Sequence, residues 1–163
     1  MREFDGKCTC VAYFSMSRAT PQTRNLAVHL IAYETEENKL SEDGLPAVFH
    51  VCETLRPHLA TLMGKAGFRA ILSRAIAVAG AEIPWLAAMQ VTPEGSLGGW
   101  DKPETQVHSE EFTEGCVLFV AQLLGLLIAF IGDSLTLRLV RDVWPQLSLE
   151  NLNFITGTSH EEV

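Results

Sequence analysis

Three side chains near the middle of the chain have the types needed for acid–base chemistry or metal binding. They are His50, Glu53 and His58, and imidazole and carboxylate groups serve both as general bases and as zinc ligands. Their spacing is unfavourable, because His50 and Glu53 are three residues apart whereas His58 lies two helical turns further on. No second group of ligands accompanies them. We therefore interpret them as a solvated helix face, and the sequence predicts neither a catalytic residue nor a metal site.

The cysteines and glycines do not form a redox, nucleotide or disulfide motif. Cys8 and Cys10 are too close together for a Cys-x-x-Cys pair, and Cys52 and Cys116 lie inside apolar helical patterns. Gly98-Gly99 is not framed by a strand and a following helix, as a phosphate-binding loop would be. These features predict no cofactor and a reducing, cytoplasmic setting.

Arginine is the other residue type that could carry function, since it outnumbers lysine by eight to four. A guanidinium group contacts carboxylate or phosphate through two parallel hydrogen bonds. If two of the predicted helices converge, their arginines could form a site for a small anionic ligand or an acidic partner. Salt bridging to the acidic loops is the alternative. The candidate residues for this site are Arg69, Arg74, Arg138 and Arg141.

The charge distribution excludes some partners. The chain of 163 residues has a net charge of −8. Residues 34–43 and 101–114 each carry five acidic side chains against one lysine. Without a basic stripe, nucleic acid is not expected as a partner, because phosphate binding depends on Lys and Arg. Attraction to anionic lipid is disfavoured for the same reason.

The elements that must position these residues are mainly helices. Thr20-Pro21 opens a helix to about Glu36, and apolar residues keep to one helix face over 47–63 and 68–79. Ser109 can cap a further helix, which Gly132 ends. A last helix is expected from Ser134 to Trp144. Pro57 interrupts the second segment, so we expect a kink or a break near Arg56.

The expected fold is therefore mainly α, a single domain over 1–163 built as a bundle of about five helices. A Pro-Glu-Gly turn predicts a small hairpin-like insertion near 87–100. Residues 1–18 suit an N-terminal arm or strand rather than a signal peptide, because Glu3 and Asp5 interrupt a basic start. Residues 156–163 are expected to fray.

The segment 115–132, GCVLFVAQLLGLLIAFIG, carries no charged residue and raises the question of a membrane span. Its length lies at the lower edge of what a bilayer requires, and acidic residues flank it. We interpret it as the central helix of the bundle and regard membrane association as the minor alternative. Small residues recur on one side of this helix, which also carries one side-chain amide. Such a side suits a close contact with another helix. This predicted packing face consists of Ala121, Gln122, Gly125 and Ala129.

Two segments resemble those of a group of small uncharacterised bacterial proteins. They are CETLRPHLATLMGKAGFRAILSRA (52–75) and LLGLLIAFIGDSLTLRLVRDVWP (123–145). The resemblance implies a bacterial, cytoplasmic helical protein and carries no activity, cofactor or site. It favours a regulatory or signalling accessory over a metabolic enzyme.

The sequence thus predicts a non-enzymatic, cytoplasmic helical interaction or regulatory module that self-associates or binds a protein partner. The surplus of apolar residues and the arginine-bearing helix faces motivate this prediction. A sensor that binds a small molecule or anion between helices is one alternative. A membrane-associated protein anchored through 115–132 is the other.

Overall fold

The structure is a computed structural model that describes residues 19–38, 46–99 and 108–147. It is mainly helical. The α-helices are α1 (Pro21–Glu37), α2 (Ala47–Glu82), α3 (Ser109–Ile131) and α4 (Asp133–Val143). A short 3₁₀ helix, Pro84–Ala88, follows α2, and the strands β1 (Gln90–Val91) and β2 (Leu97–Gly98) form a small hairpin before α3. The predicted arm at 1–18 and the tail at 156–163 lie outside the described residues.

Helix α1 begins where the sequence predicts. The Thr23 backbone N–H donates to Thr20 Oγ1 over 3.2 Å, and the Thr20 N–H donates to Thr23 Oγ1 over 2.7 Å. These reciprocal bonds satisfy donors that have no partner inside the helix. Pro21 occupies the first turn, where its missing N–H costs nothing.

Helix α2 is interrupted at Gly64 and not at Pro57. The backbone stays helical through Pro57, whereas Gly64 has φ of 81° and ψ of 162°. The break expected near Arg56 is therefore wrong. Pro57 is exposed, so water can hydrate the carbonyl that the ring leaves without a helical donor. Gly64 can adopt a conformation that is essentially closed to other residues.

The interruption at Gly64 is a sharp bend. A straight helix would separate residues 56 and 69 by about 20 Å along its axis. Yet side-chain carbons of Arg56 and Arg69 both lie within 4 Å of the position that a Cβ on Gly95 would take. The two limbs of α2, residues 47–63 and 65–82, must therefore fold toward each other, with the turn of the hairpin between them.

The hairpin occupies the predicted insertion. Its strands pair antiparallel, with Gln90 opposite Gly98 and Val91 opposite Leu97. The turn is closed by the Thr92 N–H, which donates to the Ser96 carbonyl over 2.8 Å, and by the Gly95 N–H, which donates to the Thr92 carbonyl over 2.9 Å.

Helix α3 lies at the centre. Every residue from Gly115 to Leu127 is buried, and α3 contacts α1, α2 and α4. A helix enclosed by other helices has no need of a polar face. This explains how a segment so apolar is accommodated within the fold.

The count of about five helices differs by one from the four α-helices of the structure. The segments expected as separate helices at 47–63 and 68–79 fall in the two limbs of α2, which the non-helical backbone of Gly64 separates. A glycine between two apolar segments predicts such an interruption.

Candidate functional site

Exposed apolar side chains gather at one end of the described structure. Leu62, Phe130 and Leu135 are 51%, 70% and 40% exposed. Leu62 ends the first limb of α2, Phe130 lies in the last turn of α3, and Leu135 lies in the first turn of α4. We call these three residues the apolar end. Large apolar groups left in water mark interaction surfaces when they cluster.

Two glycine bends create the apolar end. Gly132, between α3 and α4, has φ of 88° and ψ of 159°, which nearly repeats the geometry of Gly64. This backbone region is essentially restricted to glycine. No other atom lies within 4 Å of a Cβ built on either residue. Backbone geometry alone therefore accounts for glycine at both bends.

The first cleft at this end lies between the first limb of α2 and α4, and we call it the α2–α4 cleft. Its volume is about 440 Å³. Leu62, Leu135 and Leu139 supply its apolar lining, while Arg138 and Asp142 bring opposite charges one helical turn apart. Neither charged group forms an ion pair with another residue in the described ranges.

The second cleft lies between the second limb of α2 and the end of α3, and we call it the α2–α3 cleft. Its volume is about 280 Å³, and Gly67, Ala70, Leu126 and Phe130 are among its apolar lining residues. Arg74 is its one charged lining residue. This cleft can therefore bury an apolar group beside a cation.

A third cavity of about 580 Å³ borders the hairpin and is more polar. Arg56 there donates through Nη2 to Glu53 Oε2 over 2.6 Å and through Nη1 to the Glu94 carbonyl over 3.3 Å. The arginine fastens the turn of the hairpin to the first limb of α2. Both of these hydrogen bonds stabilise the fold.

The four candidate arginines are all exposed, and none of the three clefts described above is lined by two of them. Arg74 lines the α2–α3 cleft and Arg138 lines the α2–α4 cleft. Arg69 lies beside the turn of the hairpin at Gly95, and Arg141 is on the surface of α4. Each of the two apolar clefts is thus lined by one of the four arginines, and a convergent anion site stays a prediction.

The residues of the predicted packing face divide along α3. Ala121, Gln122 and Gly125 are buried in the core, whereas Ala129 is exposed. The helix emerges from its neighbours after Leu127, so its last turn belongs to the surface.

The histidine group does not form a compact site. His58 is exposed and its Nδ1 lies 3.3 Å from the Thr54 carbonyl of its own helix. His50 Nε2 and Glu53 Oε1 are buried and lack a hydrogen-bond partner in the described part of the chain. No group of three or more His, Cys, Asp or Glu side chains within 19–38, 46–99 and 108–147 could hold a metal ion.

The buried thiol of Cys52 is poorly suited to act as a nucleophile. Burial raises the pKa of the Cys52 thiol well above its usual range, and the nearby Glu53 carboxylate and Cys116 thiol raise it further. A thiol reacts as its thiolate, so this environment disfavours the reactive form. Cys8 and Cys10 lie outside the described residues.

Sequence reasoning missed the exposed residues of the apolar end. Leu62 and Leu135 fit the apolar phase of their helices, so the pattern alone would bury them. The available signal was their position beside Gly64 and Gly132, where a helix that bends or ends stops being covered.

Helix α3 is long and apolar enough to cross a membrane, judged by length and composition alone. Within this fold, 72% of its most apolar window is buried against other parts of the protein.

Comparison of the chain with protein-family models, curated proteins and solved structures finds no significant match.

Proposed function

We propose that this protein is a non-enzymatic helical interaction module that self-associates through the α2–α4 cleft. The observation that carries the proposal is the exposure of Leu62 and Leu135 on facing walls of that cleft. Covering such groups on association releases water from apolar surface, which is the main favourable term in protein–protein binding.

Charge favours a second copy of the chain as the occupant. A two-fold interface presents the same surface on both sides, so it must be complementary to itself. Arg138 and Asp142 are one turn apart on α4 and line the same cleft. When two copies meet with their α4 helices antiparallel, Arg138 of each can face Asp142 of the other.

Mixing variants tests this arrangement directly. Alone, Arg138→Glu places two acidic residues on each surface and Asp142→Arg places two basic residues, so each variant repels its own copy. Mixed together, the two variants present opposite charges and should form a heterodimer. Sedimentation velocity over a range of concentrations should show monomers for each variant alone and a dimer for the mixture.

Apolar variants supply the matched control. Leu62→Gln combined with Leu135→Gln should abolish the dimer, whereas Val28→Gln should leave it intact. Val28 is the fourth large apolar side chain exposed in the described ranges, at 47%, and it lies on α1. A monomer at all concentrations would overturn self-association. If affinity purification recovers one defined protein, and Leu62→Gln abolishes that recovery, the occupant of the cleft is that protein and not a second copy of the chain.

A cytoplasmic regulatory role in bacteria belongs to the same proposal. Its support is the resemblance of residues 52–75 and 123–145 to small bacterial proteins. The cysteine spacing, which does not suggest disulfides, and the net negative charge of the sequence also favour it. Expression in a bacterial host followed by fractionation tests the location. The proposal requires the chain in the soluble fraction without detergent.

A further inference from the structure

The α2–α3 cleft is an apolar cavity that shares no lining residue with the α2–α4 cleft, through which self-association is proposed. Its two walls have different electrostatic character. The second limb of α2 carries three basic residues, Lys65, Arg69 and Arg74, against one acidic residue, Glu82. The facing wall, α3 from Cys116 onward, carries no charge. This limb is therefore a basic surface on a chain that is acidic as a whole.

Arg74 stands at one end of the groove. On the second limb of α2 the lining residues run from Gly67 to Arg74, which is about 10 Å of helix axis. The Arg74 guanidinium has no carboxylate partner among the described residues and is exposed. An anion at that end would receive up to two charge-assisted hydrogen bonds.

The lining of the cleft favours an amphiphile with one apolar chain and one anionic head group. The cleft has a volume of about 280 Å³ and is apolar except at Arg74. It follows about 10 Å of the α2 axis, so an alkyl chain can lie along it with an anion at the arginine end.

We propose that the α2–α3 cleft binds a medium-chain fatty acid, with the carboxylate on Arg74 and the alkyl chain between α2 and α3. The apolar lining contributes affinity by removing methylene groups from water. Arg74 contributes selectivity for an anionic head group. This ligand site uses other residues than the self-association proposed above, because the two clefts have no lining residue in common.

Decanoate is the probe, and the experiment uses the full chain. Isothermal titration calorimetry should show one decanoate bound per chain. The carboxyl carbon signal of ¹³C-labelled decanoate should shift on binding. Decanol, which has the same chain and an uncharged head, should bind about tenfold more weakly, because a hydrogen bond to a charged group is worth at least that factor.

Matched variants assign the contacts. Arg74→Gln should weaken decanoate about tenfold or more and leave decanol unchanged. Arg69→Gln makes the same change of charge on the same limb outside the cleft lining and should leave both affinities unchanged. Ala70→Phe fills the groove and should abolish binding of both probes. Circular dichroism verifies that each variant is folded.

Several results would overturn the proposal. They are the absence of decanoate binding, equal loss of affinity in Arg74→Gln and Arg69→Gln, and binding that survives Ala70→Phe. Leu62→Gln with Leu135→Gln should leave decanoate binding intact. Failure of the dimer and failure of the ligand site are therefore separate outcomes.

Discussion

At the scale of single residues, Gly115 shows how strongly one packing position can constrain the chain. A Cβ built on Gly115 would lie 2.4 Å from Cζ2 of Trp85. Trp85 also stacks on Phe112, with ring centroids 4.9 Å apart and an angle of 14° between the planes. The indole thus lies flat against the first turns of α3 and anchors the 3₁₀ helix there.

We predict that Gly115→Ala destabilises the protein by about 1–3 kcal/mol, which is typical of overpacking a well-filled site. The indole must shift and lose its contact with Phe112. Urea denaturation measures the change in the free energy of unfolding. Gly98→Ala is the control, since the nearest atom to its Cβ position is 3.9 Å away. Equal stability of the Gly115 variant and wild type would show that Trp85 does not pack as described.

The position of the Trp85 ring does not depend on a hydrogen bond to another described residue. The Trp85 Nε1 atom is buried and has no hydrogen-bond partner within the described residues. Its ring is held by the face-to-face contact with Phe112 and by the space at Gly115, so shape rather than hydrogen bonding determines its position.

At the scale of elements, Pro57 and Gly64 have different effects on the backbone of α2. Pro57 occupies an exposed position within the helix, where losing one hydrogen bond is compensated by water. Gly64 determines the direction of everything that follows it in α2. The bend is needed so that the turn at Gly95 can contact both limbs.

We predict that Gly64→Ala lowers the free energy of unfolding by about 1–3 kcal/mol, the usual cost of holding a non-glycine residue in this backbone region. Since nothing lies within 4 Å of the added Cβ, the cost comes from the backbone and not from a clash. Gly132→Ala should behave in the same way because its φ and ψ are similar.

Pro57→Ala is the contrasting variant. The helix is continuous there, and alanine restores an N–H donor, so stability should be unchanged or higher. Chemical denaturation of the three variants under identical conditions makes the comparison. A loss in Pro57→Ala larger than that in Gly64→Ala would place the essential bend at Pro57.

At the scale of the whole molecule, one buried contact joins the first and last described helices. The Trp144 Nε1–H donates to Glu34 Oε1 over 2.7 Å, and Asn38 Nδ2 donates to Glu34 Oε2 over 2.8 Å. Glu34 and Trp144 are both buried. At the other end of α1, Arg24 forms an ion pair with Glu114 of α3, which is exposed and contributes little.

We predict that Trp144→Phe destabilises the protein by about 1–3 kcal/mol, because it leaves a buried carboxylate oxygen without this donor. Glu34→Met combined with Trp144→Phe should cost less than the sum of the two single changes, since it removes both polar partners. Thermal and urea unfolding of the double-mutant cycle provide the coupling energy.

Tyr33→Phe serves as the control for that cycle. It removes an exposed hydrogen bond, in which the Tyr33 hydroxyl donates to Gln146 Oε1 over 3.0 Å. Its effect should be within about 0.5 kcal/mol. Strict additivity of Glu34→Met and Trp144→Phe would contradict an energetic link between α1 and the end of α4.

The sequence by itself determined the helical content and most helix ends. Local signals suffice for these features, since the threonine cap and Pro21 act on their own turn and apolar periodicity selects the helix. The turn at Thr92–Ser96 was predictable in the same way, from proline and glycine within a few residues.

Only the tertiary structure decided which part of each helix is covered. Gly115 to Leu127 and Ile128 to Ile131 are similarly apolar in sequence, yet the first group is buried and Phe130 is the most exposed large apolar side chain of the described ranges. The tertiary structure also determines which cleft each arginine lines. Arg74 and Arg138 lie in different clefts because Gly64 and Gly132 redirect their helices. Whether an apolar stretch is covered depends on residues distant in the chain, so apolar periodicity alone does not determine it.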